Sequence, residues 1–182
     1  MRNKCLWLPL TTVALLGLAA CGGDDQATPS GLSCTSLAPL VAGANTDTNC
    51  VGNCTIENER AIADNNFGSA GVFRFDGTGS GSVAANVKAN NGGMFAVGTR
   101  VGVIWSATAA TQSGVAYQLN TYLAGVMQES FVLGYNGNGT SERAEVHNVQ
   151  TTTRAYDTVE FKFLRTAGTT TGSATVYELC SD

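Results

Sequence analysis

The chain has 182 residues, carries 14 acidic against 10 basic side chains and a net charge of −4, and holds a single histidine. So few cations leave no basic patch to follow phosphates, which excludes nucleic acid as an expected partner. The length allows one domain with a real core, and the abundance of Gly, Thr, Asn, Ser and Val, with no proline beyond Pro39, points to short strands joined by turns.

Arg2 and Lys4 open the chain, and an apolar run extends from Cys5 to Ala20. The run falls short of the roughly 20 residues that a membrane span needs. Its small-residue end and Pro9 fit a cleavable export signal. The run closes on Leu18-Ala19-Ala20-Cys21, which resembles the bacterial lipobox. That resemblance implies cleavage before Cys21, diacylation of its thiol and acylation of the new amino group. Gly22 after the cysteine, in place of Asp, resembles lipoproteins sent on to an outer membrane. The expected product is therefore exported and lipid-anchored at the outer membrane, on its periplasmic face or the cell surface. Residues 1–20 are read as signal, 21–33 as a flexible tether and 34–182 as the folded domain. Without Arg2 and Lys4, 8 basic residues face 14 acidic ones, a net charge of −6. The acyl anchor, not charge, must then hold the membrane.

With Cys5 discarded and Cys21 acylated, Cys34, Cys50, Cys54 and Cys180 remain. An even set in an exported protein reads as disulfides. Three pairings exist; Cys34–Cys180, joining the domain's ends, with Cys50–Cys54, closing a tight loop through Val51-Gly52-Asn53, is the expected one. A four-cysteine zinc site is the competing reading, with poor spacing.

Along the domain, Thr35 to Val41 reads as a first strand or a helical turn. Asn45 to Asn58 reads as polar loop, and Glu57 to Asp64 as a short helix. Phe73 and Phe75 flank Arg74; Val83, Ala85, Val87 and Ala89 alternate with polar or small residues. Val101, Val103 and Trp105 share one face with Ile104 opposite, as in a strand buried on both sides. Tyr117, Leu119, Thr121 and Leu123 alternate with Gln118, Asn120 and Tyr122, and Ala124-Gly125 reads as a two-residue turn into Val126 to Leu133. Ala144 to Gln150, Val159 to Phe163 and Ala174 to Cys180 complete about eight strands. Asp76 to Gly81, Asn90 to Gly93, Asn136 to Gly139 and Gly168 to Gly172 read as glycine-rich connectors. The fold class is all-β, an antiparallel jelly-roll-like sandwich.

The stretches Cys50 to Cys54 and Ala61 to Asn66, with Arg100 to Trp105 and Thr121 to Val126, resemble discoidin-like, galactose-binding-like modules of bacterial surface proteins. The resemblance spans residues 50 to 179. It implies a jelly-roll sandwich with an extracellular binding or adhesive role. No sugar or calcium ligand of the family matches position by position, so none is carried over.

The residues supply little catalytic chemistry. His147 would have to serve any Ser-His-Asp triad, yet no Gly-x-Ser-x-Gly elbow is present. Glu129, Glu142 and Glu145 are the carboxylates that could pair as in a glycosidase, though glutamates on strands ordinarily form the solvated face. No enzyme is expected. Tyr122 and Tyr135 are the candidate ligand-stacking residues, against ordinary cross-strand packing; Trp105 is assigned to the core. Calcium is the one cofactor to consider: Asp47, Asp64 and Asn66 are oxygen donors in predicted loops, and the ion takes roughly six to eight oxygens. The expected function is a binding or adhesion module for glycan, with a structural lipoprotein acting on envelope proteins as the alternative.

Overall fold

The computed structural model describes residues 37–39, 46–89, 92–107, 114–134, 146–165 and 172–182. The expected signal and tether, Cys21, Cys34, Tyr135, Glu142 and Glu145 lie outside these residues. Among the described residues there are nine strands: β1 Leu37–Pro39, β2 Thr46–Glu57, β3 Gly71–Ala89, β4 Arg100–Ala107, β5 Val115–Leu123, β6 Val126–Val132, β7 Val146–Thr151, β8 Thr158–Arg165 and β9 Gly172–Ser181. A 3₁₀ helix occupies Glu59–Ala63.

Every ladder is antiparallel, and hydrogen bonding runs in the order β6-β5-β8-β3-β9-β4-β7. Strand β3 belongs to both layers of the sandwich. Its first part, Gly71 to Phe75, pairs with β9, whereas Gly81 to Lys88 pair with β8. Strand β2 follows it across, with Thr46–Val51 beside Ser80–Ala85 and Asn53–Glu57 beside Val72–Asp76. One layer is therefore β6-β5-β8-β3 and the other β3-β9-β4-β7.

Two sequence expectations are corrected here. Asp76 to Gly81 is not a turn between strands but the point where one 19-residue strand changes layer. Glycine suits that crossing, since Gly81 has φ +114°, which only glycine adopts without strain. Of the stretch Asn45 to Asn58, Thr46–Glu57 is not loop but β2, because backbone pairing to β3 overrides the polar composition. The strands expected from Phe73 onward are present, the last but two as Val146–Thr151. The connector expected at Asn136 to Gly139 lies outside the described residues, as do Asn90, Asn91, Ala144, Glu145 and residues 168–171. Ala124 and Gly125 form a two-residue turn with φ +50° and +80°, the positive pair of a type I′ hairpin. The expected short helix is the 3₁₀ turn.

The core lies between the layers. Phe73 and Phe161 meet edge to face at 5.1 Å, and Phe75 and Phe163 at 5.0 Å. Trp105 packs on Tyr117 at 4.5 Å, and its indole N–H donates to Asn148 Oδ1 at 2.7 Å. All of these rings are buried; each contributes about 1.5–3 kcal/mol from burial. As its pattern predicts, β4 is buried on both faces from Val101 to Ser106.

The sandwich has two distinct ends. The β3 layer crossing marks one. At the other lie Ala89, the β5–β6 turn, residues 92–99 and residues 152–157, bound together by backbone hydrogen bonds. Phe95 exchanges two with Tyr156, Asp157 N donates to Tyr122 O, and Ala89 N donates to Asp157 O. Leu37 pairs with Ala89, so the chain enters the domain at this second end.

Candidate functional site: the outer face of the β8 layer

Alternation places Val159, Phe161 and Phe163 of β8 in the core, and turns Thr158, Glu160 and Lys162 outward. The register then aligns outward residues into rows. Asn86 of β3, Glu160 of β8, Asn120 of β5 and Ser130 of β6 stand side by side. With strands about 4.8 Å apart this row is roughly 14 Å long. Towards the crossing lie Ala84, Lys162, Gln118 and Val132; towards the other end lie Lys88, Thr158, Tyr122 and Met127.

Glu160 organises the row. Its Oε1 accepts Asn120 Nδ2–H at 2.7 Å and the Tyr122 hydroxyl at 2.9 Å. Although both point out of the sandwich, Glu160 is 5% and Asn120 2% exposed. Asn86, Gln118, Tyr122 and Lys162 are half-buried around them. The result is a fixed polar floor with hydrogen-bonding side chains around it. Asn120 Oδ1 is buried without a hydrogen-bond partner, a costly arrangement that folded proteins keep sparingly.

Tyr122 thus does face outward, as alternation requires, but its hydroxyl is engaged by Glu160 rather than free. Nothing in the spacing of residues 86, 120, 130 and 160 reveals their alignment; register alone does.

A second polar cluster lies on the outer side of the β9 layer, at the chain-entry end. Glu178 is fully buried beneath the loop after the 3₁₀ helix. Its Oε1 accepts Asn65 N–H at 3.4 Å, and its Oε2 is buried with no partner. Burial pushes its carboxyl up to about 8, partly opposed by the Asn65 N–H and reinforced by the Asp64 carboxylate. Asp64 and Asn66 fasten the loop itself: Asp64 accepts from Asn66 N and Ser69 Oγ, and Asn66 Oδ1 accepts from Gly68 N. Asp47, on β2, pairs with Ala84 of β3, and its side chain lies outside the described residues. Among the described residues no group of three or more His, Cys, Asp or Glu side chains is arranged to hold a metal.

Glu129 is committed to structure, with its carboxylate accepting Thr153 N, Thr153 Oγ and Arg154 N. His147 lies on β7 opposite Ile104; its side chain, like those of Asp47 and Cys50, lies outside the described residues. Cys54 and Cys180 are both disulfide-bonded. Cys180 is buried beside Phe67 and Val149.

No family model matches the chain, and no curated protein matches it. Solved structures with a similar chain trace include a module described as CBM32-3 from a family 31 glycoside hydrolase of Clostridium perfringens. It has TM-score 0.47 and 13% identity, covering 82% of this chain and 92% of that one. The family 32 CBM of C. perfringens NanJ, solved with galactose, has TM-score 0.45 and 13% identity, covering 72% and 92%. A chitosan-binding module from a Paenibacillus sp. IK-5 chitosanase/glucanase has TM-score 0.38 and 15% identity, covering 72% and 94%. At these scores none of them decides what this chain binds.

Proposed function

We propose that the protein is a non-catalytic binding module, lipid-anchored through Cys21 at the bacterial envelope, whose ligand is a glycan. The observation that carries this reading is the row Asn86, Glu160, Asn120 and Ser130 with Tyr122 fixed beside it. Glu160 and Asn120 are the buried floor that holds Tyr122 in place. The groups left to meet a ligand are the half-buried Asn86, Gln118, Tyr122 and Lys162 with exposed Ser130. Amides, hydroxyls and an aromatic ring suit a polyhydroxylated ligand, which needs donors, acceptors and an apolar ring edge. These groups are pre-positioned by the ladder, so little ordering entropy is lost on binding.

The test is a glycan array probed with the full chain carrying Cys21→Ser, alongside Tyr122→Ala and Asn86→Ala in the same background. Binding to one glycan class, weakened about ten-fold or more by either substitution, is the expected outcome. Silence on glycans, with one recurrent envelope protein recovered in a pull-down, would replace this reading with a structural lipoprotein acting through protein contacts. The anchor is tested separately: Cys21→Ser is expected to leave the membrane fraction with its fold intact.

A further inference from the structure

The chain-entry end carries four exposed apolar side chains, of which Met127 borders the polar face beside Tyr122. Met94 is 63% exposed, Val97 65%, Val126 64% and Met127 53%. They flank the segment 152–157 from both sides. Met94 and Val97 stand on residues 92–99, where Phe95 pairs with Tyr156 and Gly98 N donates to Thr152 O. Val126 and Met127 follow the β5–β6 turn, where Ala124 N donates to Asp157 Oδ2 at 3.0 Å. Across a single intervening segment the two groups are separated by about 10 Å, two strand spacings.

These side chains are not out for want of a fixed backbone. Phe95 stacks on Tyr156 at 4.9 Å, and Ala96 O accepts both the amide and the hydroxyl of Thr99. Tyr156 beneath them is buried and Phe95 and Leu123 are half-buried, whereas these four are held outward. The carboxylate of Asp157, at the centre of the rim, is occupied by Ala124 N and the Thr158 hydroxyl. Two cations, Lys88 and Arg154, are exposed at the same end.

We infer that this rim is the surface on which the domain rests on the lipid bilayer. The inference deepens the proposed anchoring and rests on it. The argument for lipid comes from where the chain enters. Leu37 pairs with Ala89 at this end, and 15 residues separate it from Cys21. Fifteen residues reach at most about 50 Å, so the domain stays beside its anchor, tied to it at the entry end. Four rigidly presented apolar side chains then enter the boundary between headgroups and acyl chains, and the two cations meet headgroup phosphates.

Methionine chemistry tests this directly. The sequence has three methionines, Met1, Met94 and Met127, and Met1 leaves with the signal, so peroxide oxidation of the mature protein reads only the rim. The native protein on its membranes is compared with Cys21→Ser in solution, by mass of the Met94 and Met127 peptides. Oxidation slowed about five-fold or more at both residues on the membrane is expected for side chains held in the interface. The same protection is expected after the purified native protein is returned to phosphatidylcholine vesicles. Equal rates on membrane and in solution would overturn the rim. Protection on native membranes that vanishes on pure lipid would also overturn it, and would assign the rim to a protein partner. If the native protein is found in the soluble fraction, anchoring has failed. The rim is then judged on Cys21→Ser with added vesicles, where protection supports it and unchanged oxidation refutes it.

Discussion

Glu178 makes the stability of this protein fall as pH rises. In the unfolded chain its carboxyl titrates near its ordinary 4.5; in the folded protein, burial pushes it up to about 8. Below pH 4.5 both states are protonated and the group has no effect. Between 4.5 and 8 the unfolded chain releases the proton while the folded chain keeps it. The folded state then binds more protons, so the free energy of unfolding declines by up to about 1.4 kcal/mol per pH unit. Above pH 8 the loss is complete, on the order of several kcal/mol in total. Replacing Glu178 by Gln keeps the shape and a neutral group, and removes the titration. The assay is urea unfolding of wild type and Glu178→Gln at pH 5, 6, 7, 8 and 9. All other titrating groups are shared, so the difference between the two curves isolates this one. The two proteins are expected to be nearly equal at pH 5, with the Gln variant progressively more stable towards pH 8. Parallel curves across the range would refute the burial argument.

Three further outcomes follow from the fold. A Cβ added at Gly71 would stand 2.5 Å from the Cγ2 methyl of buried Ile62; Gly71→Ala should push the 3₁₀ helix off the β9 layer and cost about 1–3 kcal/mol in urea unfolding. Ala124 takes φ +50° in the hairpin turn, so Ala124→Gly or Ala124→Asn should stabilise by about 0.5–1 kcal/mol, seen as a higher thermal midpoint. Non-reduced peptide mapping should join Cys50 to Cys54 and Cys34 to Cys180. The first pair flanks the register shift where β2 changes layer, and recovery of Cys34 joined to Cys50 or Cys54 would reject the pairing.

Most of the strands were legible because one face of each carries large apolar residues. The alternation in β5 and β8, and the doubly apolar β4, follow from which surfaces a two-layer sandwich must cover. What was illegible has a common cause. Strand β2 is polar and holds Gly52, and the middle of β3 is Asp76-Gly77-Thr78-Gly79-Ser80-Gly81. Locally both read as loop. They are strand because each is the other's partner, an interaction between residues that the local sequence cannot weigh. The glycines that read as a turn serve a strand that must bend from one layer to the other.

The same limit governs the sites. Glu160 and Asn120 were correctly placed facing away from the core, where polar side chains ordinarily just meet water. Their significance lies in being neighbours, and residues 40 apart become neighbours only through the β5–β8 register. A one-residue slip of β5 would send Asn120 inward and dissolve the row, while also turning Tyr117 and Leu119 out of the core. The apolar alternation that stabilises the sandwich therefore fixes the polar face as well. Changing the chemistry of that face needs only outward substitutions at Asn86, Gln118 or Tyr122. Moving the face requires repacking Tyr117, Leu119, Phe161 and Phe163 together.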